Sequence, residues 1–460
     1  MQLPSVFLDS LNDTKGFDQT TFEKLHASGE QITSIRLNPS KSSMGNHQLP
    51  IENKIPWTEQ GYYLKERPSF TFDPLFHAGC YYVQEASSMF LEQALKQTVD
   101  LSKPLRVLDL CAAPGGKSTH IQSLISSGSL LVSNEVIKSR CNILKDNIIK
   151  WGCENVVVTN NDPKDFAKLQ NYFDVIVVDA PCSGSGLFRK EPDAIEHWSE
   201  NNVALCSQRQ QRILADVWPS LKEDGILVYS TCSYSKEEDE DIVKWMNEEF
   251  LTANCQLLIS ENWGVTKTDN SFRFWPDKVK GEGFFITVFK KMQHEDDHKT
   301  RVTKKLNEIS TTEAELVRPW LTNSDDKLFV HGFDGIYTIN KDFQSDINLL
   351  YSTLRVAYFG VKLGELMKGK LVPAHSLAMS RLLADSVIKI ELNREQAIRY
   401  LQKKDIDVEK SEPGWQLICF KNHPLGWVKV LQNRVNNYYP MELRILKDNC
   451  LNTSENASSL

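Results

Sequence analysis

The chain has 460 residues, of which 41% are hydrophobic and 25% charged, and this balance predicts a globular protein of roughly two to four domains. It contains no run of about 18 apolar residues and no basic N-terminal segment followed by an apolar stretch. We therefore expect neither a membrane span nor a secretory signal, and a cytoplasmic location. The net charge of −7 counts against extensive phosphate binding, although a local basic groove remains compatible with it.

Ten cysteines occur in the chain, none of them in C-x-x-C spacing or within a cluster of histidines. This pattern argues against a disulfide framework and against a zinc site or any other metal site. We expect most of the cysteines to be reduced thiols in the core, and one or two to be available for catalysis.

Residues 1–100 mix short apolar runs with turn signals. Residues 34–39 (SIRLNP) predict a strand that ends in a turn. Residues 87–95 predict an apolar helix for which Ser87 or Ser88 is the cap.

Strands and helices alternate from residue 101 to residue 291. The pattern predicts strands at residues 106–110, 130–135, 155–160, 173–179, 226–230 and 284–290, and helices at residues 117–125 and 138–151. Such alternation indicates a doubly wound α/β sheet. The strand at 173–179 (FDVIVVD) is apolar almost throughout, so we expect it to be buried on both faces.

The remainder of the chain is predicted to contain two more folded parts. Residues 292–312 form a charged linker, since MQHEDDHKTRVTKK lacks hydrophobic periodicity. An intermediate domain at 313–375 and another domain at 376–447 follow, and the latter contains two apolar runs split by His423–Gly426, a predicted β-hairpin. Residues 448–460 are polar and predict a disordered tail.

A strand-turn-helix junction rich in small residues spans Leu108 to Lys117 (LDLCAAPGGK). Backbone groups in such a turn can approach a ligand closely. The segment lacks the first glycine of a P-loop and does not match G-x-G-x-x-G, so neither a phosphate loop nor a dinucleotide site is indicated.

Three acidic residues follow strands of the same predicted sheet. Glu135 suits ribose hydroxyls, Asp162 suits an adenine amino group, and Asp179 ends the next strand. Any one such acid is more often a helix cap or a turn residue. Together with the small-residue turn, the three favour a cationic, ribose-bearing ligand without phosphates, which describes S-adenosylmethionine.

Two cysteines follow neighbouring strands at the same edge: Cys182 in DAPCSG and Cys232 in STCS. A lone cysteine at a strand end is usually structural, but two of them flanked by small residues favour catalysis. A thiolate that adds to carbon 6 of cytosine makes carbon 5 nucleophilic enough to take a methyl group. Asp179 is placed to bind the pyrimidine edge, and the second thiol to assist release.

Two charged segments lie near these cysteines. Arg189 and Lys190 follow GSG and are expected in a flexible loop, where they either contact substrate phosphates or are simply solvated. The acidic run Lys236–Glu240 is interpreted as a solvated helix start.

At these residues the chain resembles the Nop/Sun (Fmu) family of RNA cytosine-5 methyltransferases. The matching segments are HAGCYYVQEASSM, LDLCAAPGGKSTHI, DAPCSGSGLFRKEPDA and LVYSTCSYSKEEDE, in this order across roughly residues 30–290. The resemblance implies a Rossmann-like methyltransferase sheet. It also implies that Cys232 is the nucleophile and that Cys182 assists product release. Lys190 is a further candidate catalytic residue because of its position after the Cys182 segment.

The resemblance further implies a set of S-adenosylmethionine-binding residues: Cys111, Ala112, Ala113, Pro114, Gly115, Gly116, Lys117, Glu135, Arg140, Asp162 and Asp179. It implies a small RNA-recognition-like domain at 1–100 and, from PGWQLICFKNHPLGWVKVLQNRVNNYYPMELR, a PUA-like RNA-binding domain at 376–447. That arrangement is similar to bacterial members that act on 16S rRNA, so the expected partner is 16S rRNA or the 30S subunit, bound by a monomer.

Three other interpretations remain open. A DNA cytosine-5 methyltransferase would use Cys182 as its nucleophile, although the retention of Thr231 and Cys232 argues against it. A tRNA methyltransferase would have the same catalytic residues. A non-catalytic RNA-binding assembly factor would be expected to have lost a cysteine or a cofactor acid.

Overall fold

The computed structural model describes residues 3–41, 49–292, 301–407 and 412–447. The predicted disordered tail, residues 448–460, lies outside the described residues, as do residues 293–300 of the predicted linker. The helices are α1 (Ser5–Ser10), α2 (Gln19–Ser28), α3 (Pro74–His77), α4 (Leu91–Thr98), α5 (Gly116–Leu124), α6 (Lys138–Trp151), α7 (Ala194–His197), α8 (Glu200–Val217), α9 (Glu240–Glu249), α10 (Thr311–Val317), α11 (Gln344–Thr353), α12 (His375–Met379) and α13 (Arg394–Leu401).

The strands form four sheets. They are β1 (Thr33–Leu37), β2 (Ile51–Lys54), β3 (Gly61–Leu64), β4 (Tyr81–Val83), β5 (Arg106–Asp109), β6 (Leu130–Asn134), β7 (Val156–Thr159), β8 (Phe173–Asp179), β9 (Leu221–Thr231), β10 (Thr252–Asn254), β11 (Thr266–Lys267), β12 (Ser271–Phe274), β13 (Phe284–Lys291), β14 (Asn307–Glu308), β15 (Lys327–His331), β16 (Ile336–Asn340), β17 (Val356–Phe359), β18 (Val361–Met367), β19 (Lys370–Pro373), β20 (Lys389–Glu391), β21 (Gly414–Phe420), β22 (His423–Val430) and β23 (Val435–Asn437).

The largest sheet, called the central sheet below, has the strand order β11-β12-β13-β9-β8-β5-β6-β7-β17, with β10 paired to β13. Strands β9, β8, β5, β6 and β7 are parallel, and β13 lies antiparallel to β9. In β8 the four consecutive residues Val175–Val178 are at most 1% exposed, so both faces of the strand are buried. The predicted Rossmann-like α/β sheet is confirmed, and its parallel strands bring their carboxyl ends to one edge.

The N-terminal sheet, ordered β2-β3-β1-β4, is fixed to the central sheet by one buried cation. Arg36 on β1 is fully buried, and its Nη2 donates to Thr119 Oγ1 at 2.6 Å and to the Gly116 carbonyl oxygen at 3.2 Å. Its guanidinium also lies 4.7 Å from the ring centre of Trp151. The position of β1 is thereby coupled to the start of α5.

The predicted helix at 87–95 begins differently from expectation. Ser87 to Phe90 form a 3₁₀ turn before α4, and neither serine caps it. The carboxylate of Glu85 accepts the backbone N–H groups of Ser87 and Ser88, each at 2.8 Å. The predicted serine cap is wrong because one carboxylate satisfies both donors, which one hydroxyl cannot do.

The segment after the linker completes the central sheet. Strand β17 pairs antiparallel with β7, and Phe343, Ile347 and Phe359 belong to the same hydrophobic core as the parallel strands. A separate sheet has the order β14-β15-β16-β18-β19. Residues 307–312 of the predicted linker are structured, because β14 pairs with β15 and Ser310 caps α10 through a capping box with Glu313.

The last sheet, β20-β21-β22-β23, contains the predicted hairpin. Its turn lies at Lys421 and Asn422, with φ values of 50° and 64°, rather than at His423–Gly426, which starts β22. Two successive positive φ angles are typical of a tight hairpin turn, and asparagine tolerates this conformation well. Tyr400 and Ile418 share a core with Ile35 of the N-terminal sheet, so the two terminal parts pack together.

Within the described ranges, no helix combines the length and apolarity needed to cross a membrane. The same ranges contain no group of three or more His, Cys, Asp or Glu side chains placed to hold a metal ion. The nine cysteines that the structure describes are all free thiols.

Candidate active site

The small-residue turn between β5 and α5 is held by side chains of α6. Gly115 has a φ of 115°, which favours glycine, and a Cβ there would lie 3.3 Å from Leu144 Cδ1. Arg140 donates to the Ala113 carbonyl oxygen at 2.8 Å, and Asn147 donates to the Pro114 carbonyl oxygen at 2.8 Å. These two bonds fix the carbonyl groups and leave the opposite side of the turn open to a ligand.

A cavity opens beside this turn. It is lined by Tyr82, Val83, Gln84, Glu85 and Ser88 of the N-terminal part, and by Cys111–Pro114, Gly116, Lys117 and Asp179 of the central sheet. The structure therefore brings together most of the residues that the sequence placed around the cofactor. It adds the segment Tyr82–Ser88, for which the sequence offered only the resemblance of HAGCYYVQEASSM.

The predicted acids take different positions. Glu135 is 3% exposed, accepts the Ile137 backbone N–H at 2.8 Å and lies 3.5 Å from an Arg140 nitrogen. Asp162 caps the 3₁₀ turn Pro163–Lys168 by accepting the Lys164 N–H at 3.2 Å. Neither lines the cavity described above, whereas Asp179 does. Both nevertheless follow strands at the same edge of the sheet as the turn.

Of the three acids, Asp179 lies nearest along the chain to the loops that carry Cys182 and Cys232, called the cysteine loops below. Its carboxylate lies 2.7 Å from Lys117 Nζ and accepts the Ser230 hydroxyl at 2.8 Å. Ser230 is its register partner on the adjacent parallel strand β9. Cys182 follows Asp179 by three residues, and Cys232 follows Ser230 by two. The two loops therefore leave the sheet at the same point.

The two sulfur atoms are in contact. Cys182 Sγ and Cys232 Sγ lie 3.0 Å apart, and both residues are partly exposed. The Gly186 N–H donates to the Cys232 carbonyl oxygen at 2.7 Å, which ties the two loops through their backbones. The contact with Cys232 and burial raise the pKa of the Cys182 thiol well above its usual range. Either sulfur can be the donor in this contact.

The acidic run after Cys232 is not solvated as predicted. Glu238 and Asp239 are fully buried, Glu240 is partly exposed, and Lys236 and Glu237 face solvent. Glu238 accepts the Ser183 backbone N–H at 2.8 Å, the Ser233 hydroxyl at 2.7 Å, the Gln210 side-chain amide at 3.1 Å and the Ser183 hydroxyl. The interpretation as a solvated helix start is wrong because these donors from both cysteine loops and from α8 compensate the burial of the carboxylate.

Asp239 and Glu240 anchor the same segment on its other side. Asp239 accepts the Thr231 hydroxyl at 2.6 Å, and Arg273 lies 3.0 Å from its second oxygen. Arg273 also makes two hydrogen bonds to Glu240. The residue before Cys232 is thus fixed to β12 by a buried ion network.

Arg189 is not a phosphate contact. It is 5% exposed, and its Nε donates to Glu282 at 3.0 Å while Nη2 donates to the Gly281 carbonyl oxygen at 2.7 Å. The expectation of a flexible, solvated loop is wrong at this residue because the guanidinium is paired inside the protein. Lys190, next in the chain, is exposed.

Family models match three stretches of the chain. Residues 96–290 match the 16S rRNA methyltransferase RsmB/F model, residues 3–86 the N-terminal domain of 16S rRNA methyltransferase RsmF, and residues 387–445 the methyltransferase RsmF PUA domain. The chain is 31% identical to ribosomal RNA small subunit methyltransferase F of Shewanella loihica, covering 89% of this chain and 88% of that protein. It is 31% identical to the protein of the same name in Psychromonas ingrahamii, covering 98% of each.

The chain belongs to the RsmB/F methyltransferase family. Among solved structures, a methyltransferase homologue from Pyrococcus horikoshii is 27% identical, with a TM-score of 0.50 and coverage of 63% of this chain and 100% of that one. The predicted family resemblance and the methyltransferase fold are confirmed. S-adenosylmethionine is accordingly the cofactor of this RsmB/F member.

The cavity contains a buried polar group that a bound ligand could satisfy. Gln84 lines it, and its Oε1 accepts Arg36 Nε at 2.8 Å, which directs the amide nitrogen the other way. That nitrogen is buried and has no protein partner. An unsatisfied buried donor is costly, so a polar ligand group that accepts from it would be favoured.

Sequence reasoning missed Arg36, Gln84 and Glu238. Gln84 and Glu238 lie within quoted motif segments, but nothing in a linear pattern shows that Glu238 is buried. Arg36 lies on a strand of ordinary composition, and only the fold places it beneath α5.

Proposed function

We propose that this protein transfers a methyl group from S-adenosylmethionine to carbon 5 of a cytosine in small-subunit rRNA, in the cytoplasm, through a covalent adduct with Cys232. The observation that supports this most directly is the 3.0 Å contact between the Cys182 and Cys232 sulfur atoms, beside the cofactor turn. The relatives named ribosomal RNA small subunit methyltransferase F support rRNA as the substrate class.

Cys232 is assigned the attack because the resemblance to the Nop/Sun family implies that the nucleophile is at this position. Its thiolate is the reactive form, and its sulfur lies 3.0 Å from that of Cys182. The thiolate adds to carbon 6 of the cytosine and forms a carbon–sulfur bond, while the pyrimidine edge is protonated or hydrogen-bonded. Asp179, held by Lys117 and Ser230, is the group at this edge.

Bound S-adenosylmethionine supplies an electrophilic methyl group to the activated carbon 5. The carbon 5 proton must then leave, and its electron pair restores the 5,6 double bond as the carbon–sulfur bond breaks. Cys182 is placed to assist this step, since its sulfur contacts the Cys232 sulfur from which the cytosine is released. The products are 5-methylcytosine, S-adenosylhomocysteine and one proton, with the enzyme unchanged.

The N-terminal sheet and the PUA-like sheet are proposed to dock the RNA. They share one hydrophobic core, so they are packed together rather than joined only by the intervening chain. The domain boundaries inferred from the sequence are kept as a proposal with two changes: residues 307–312 belong to the part after the linker, and β17 belongs to the central sheet. Lys190 is exposed beside the cysteine loop and is proposed to contact substrate phosphate.

The test uses the full chain with methyl-labelled S-adenosylmethionine. Free 16S rRNA, assembled 30S subunits, tRNA and duplex DNA are each incubated with the protein, and the labelled base is identified by nuclease digestion. Label in 5-methylcytosine from 16S rRNA or 30S subunits supports the proposal. Label confined to tRNA or DNA, or to another base, contradicts it.

A further inference from the structure

Glu238 joins the two loops that carry the reactive cysteines. Its carboxylate accepts four donors: the Ser183 N–H and hydroxyl, the Ser233 hydroxyl and the Gln210 amide. Ser183 follows Cys182 in the chain, and Ser233 follows Cys232. One buried group therefore holds the immediate neighbours of both thiols.

Glu238 is the group that connects Ser183 with Ser233 through its carboxylate. The two serine hydroxyls lie 3.3 Å apart, but each already points a donor at the carboxylate. Three further contacts join the loops: the Gly186 N–H to the Cys232 carbonyl oxygen, the Tyr234 N–H to the Ser185 hydroxyl at 2.9 Å, and the Ser185 hydroxyl to the Ser233 hydroxyl at 3.5 Å. None of them touches Ser183. Burial raises the pKa of Glu238 above its usual range, and the hydrogen bonds from Ser183, Ser233 and Gln210 partly oppose this rise. A carboxylate is the acceptor-only group that can serve four donors at once.

We propose that Glu238 is a positioning residue that sets the contact between Cys182 and Cys232 by holding Ser183 and Ser233 on one carboxylate. This inference deepens the proposed function, since the cysteine pair is its catalytic core. It assigns no contact between Glu238 and the substrate. Removing the carboxylate should separate the thiols without removing either of them.

The variants are chosen to separate geometry from charge. Glu238→Ala removes all four acceptor contacts. Glu238→Gln keeps the pairing, because the amide oxygen accepts from the Ser183 N–H and Gln210 while the amide nitrogen donates to the serine hydroxyls, which can rotate to accept. Glu237→Gln is the matched control, since this neighbouring side chain is exposed.

The readout is the rate of disulfide formation between Cys182 and Cys232 under diamide, measured by mass spectrometry of peptides without RNA or cofactor. The two thiols lose two protons and two electrons, and the diamide N=N bond is reduced to the hydrazine. We expect the rate to fall at least about tenfold in Glu238→Ala, the equivalent of losing one net charge-assisted hydrogen bond. Glu238→Gln and Glu237→Gln should remain within about threefold of wild type.

Should Glu238→Ala fail to fold by circular dichroism, the double variant Ser183→Ala/Ser233→Ala removes the same link from the other side and should show the same loss. An unchanged disulfide rate in a folded Glu238→Ala protein, or in the double serine variant, overturns the proposal. The assay needs no methylation, so a protein that fails to methylate cytosine would refute the proposed function while this test still decides the role of Glu238.

Discussion

Lys117 Nζ lies 2.7 Å from the carboxylate of Asp179, and this pair connects the cofactor turn to the strand end that leads to Cys182. Lys117 lies in the first turn of α5, whereas Asp179 ends β8, so the ion pair joins the start of this helix to the end of this strand. The Lys117 ammonium is also 5.2 Å from the centre of the Phe284 ring. The Lys117 ammonium can therefore orient the Asp179 carboxylate, which is the group proposed to meet the pyrimidine edge.

Lys117→Met should therefore reduce the single-turnover rate of methyl transfer more than it reduces cofactor affinity. A loss of at least about tenfold in rate is expected if Asp179 loses its orientation, by analogy with other general acid–base positioning effects. The dissociation constant for S-adenosylmethionine, measured by calorimetry, should change by less than about threefold. Lys164→Met, at an exposed lysine beside Asp162, is the control. A tenfold loss of affinity with an unchanged rate would show that Lys117 serves the cofactor alone.

Glu135→Ala should weaken S-adenosylmethionine binding by about 1–3 kcal/mol, the usual cost of leaving hydrogen-bonded groups without partners. Glu135 is buried at the end of β6, with one oxygen already held by the Ile137 N–H, so its second oxygen is directed by Arg140 alone. Calorimetry on the folded variant checks this, with the exposed Glu261→Ala as control. Unchanged affinity would remove Glu135 from the cofactor site.

Most of the central sheet followed from the sequence because buried parallel strands are short apolar runs bounded by turn signals. The 173–179 strand was predicted with the bounds that the structure gives to β8. The edge strand β17 was not predicted, since its pairing with β7 joins residues about 200 positions apart and leaves no local pattern. Glu238 was missed for a related reason: an acidic run has the same composition whether it faces water or four buried donors.

The pairing of β17 predicts that the C-terminal part contributes to the stability of the methyltransferase sheet. Phe359 on β17 is fully buried, and its ring stacks on Tyr337 with centres 4.9 Å apart. Phe359→Ala should lower the free energy of unfolding by about 3–5 kcal/mol, because a large cavity opens in the shared core. Urea unfolding measures the change. Leu258→Ala, at a side chain that is 84% exposed, should stay within about 0.5 kcal/mol of wild type. A small effect of Phe359→Ala would mean that the C-terminal part can be removed without cost to the sheet.

Acidification should destabilise the protein below pH 6.5 through its buried histidines. Burial lowers the pKa values of His26 and His120 from 6.5 to about 4. On acidification, the unfolded chain therefore takes up protons at these histidines before the folded protein does. Their contribution to the free energy of unfolding is fully present above pH 6.5. It declines as the pH falls towards 4, by about 1.4 kcal/mol per pH unit for each histidine. His120 Nε2 faces Glu92 at 3.1 Å, while its Nδ1 is buried without a partner, so a second ring proton would have no acceptor.

His120→Gln should reduce this dependence, because the amide can still donate to Glu92 but does not titrate. Urea unfolding at pH 7, 6 and 5 gives the slope for wild type, His120→Gln and the exposed control His197→Gln. The control should retain the wild-type slope. An identical slope in His120→Gln would mean that His120 is already protonated in the folded protein.

The two cysteines should give opposite results when they are removed one at a time. Cys182→Ala leaves the attacking thiol in place, so addition and methyl transfer can proceed while elimination stalls. A protein–RNA adduct that survives denaturing gel electrophoresis should therefore accumulate with Cys182→Ala and S-adenosylmethionine. Cys232→Ala should form no adduct and no product, and the double variant should behave like Cys232→Ala, because no adduct awaits release if none forms. Cys206→Ala, at a buried thiol on α8, is the control and should turn over without a trapped adduct. An adduct with Cys232→Ala but not with Cys182→Ala would exchange the two roles and give this protein the nucleophile position expected of a DNA cytosine methyltransferase.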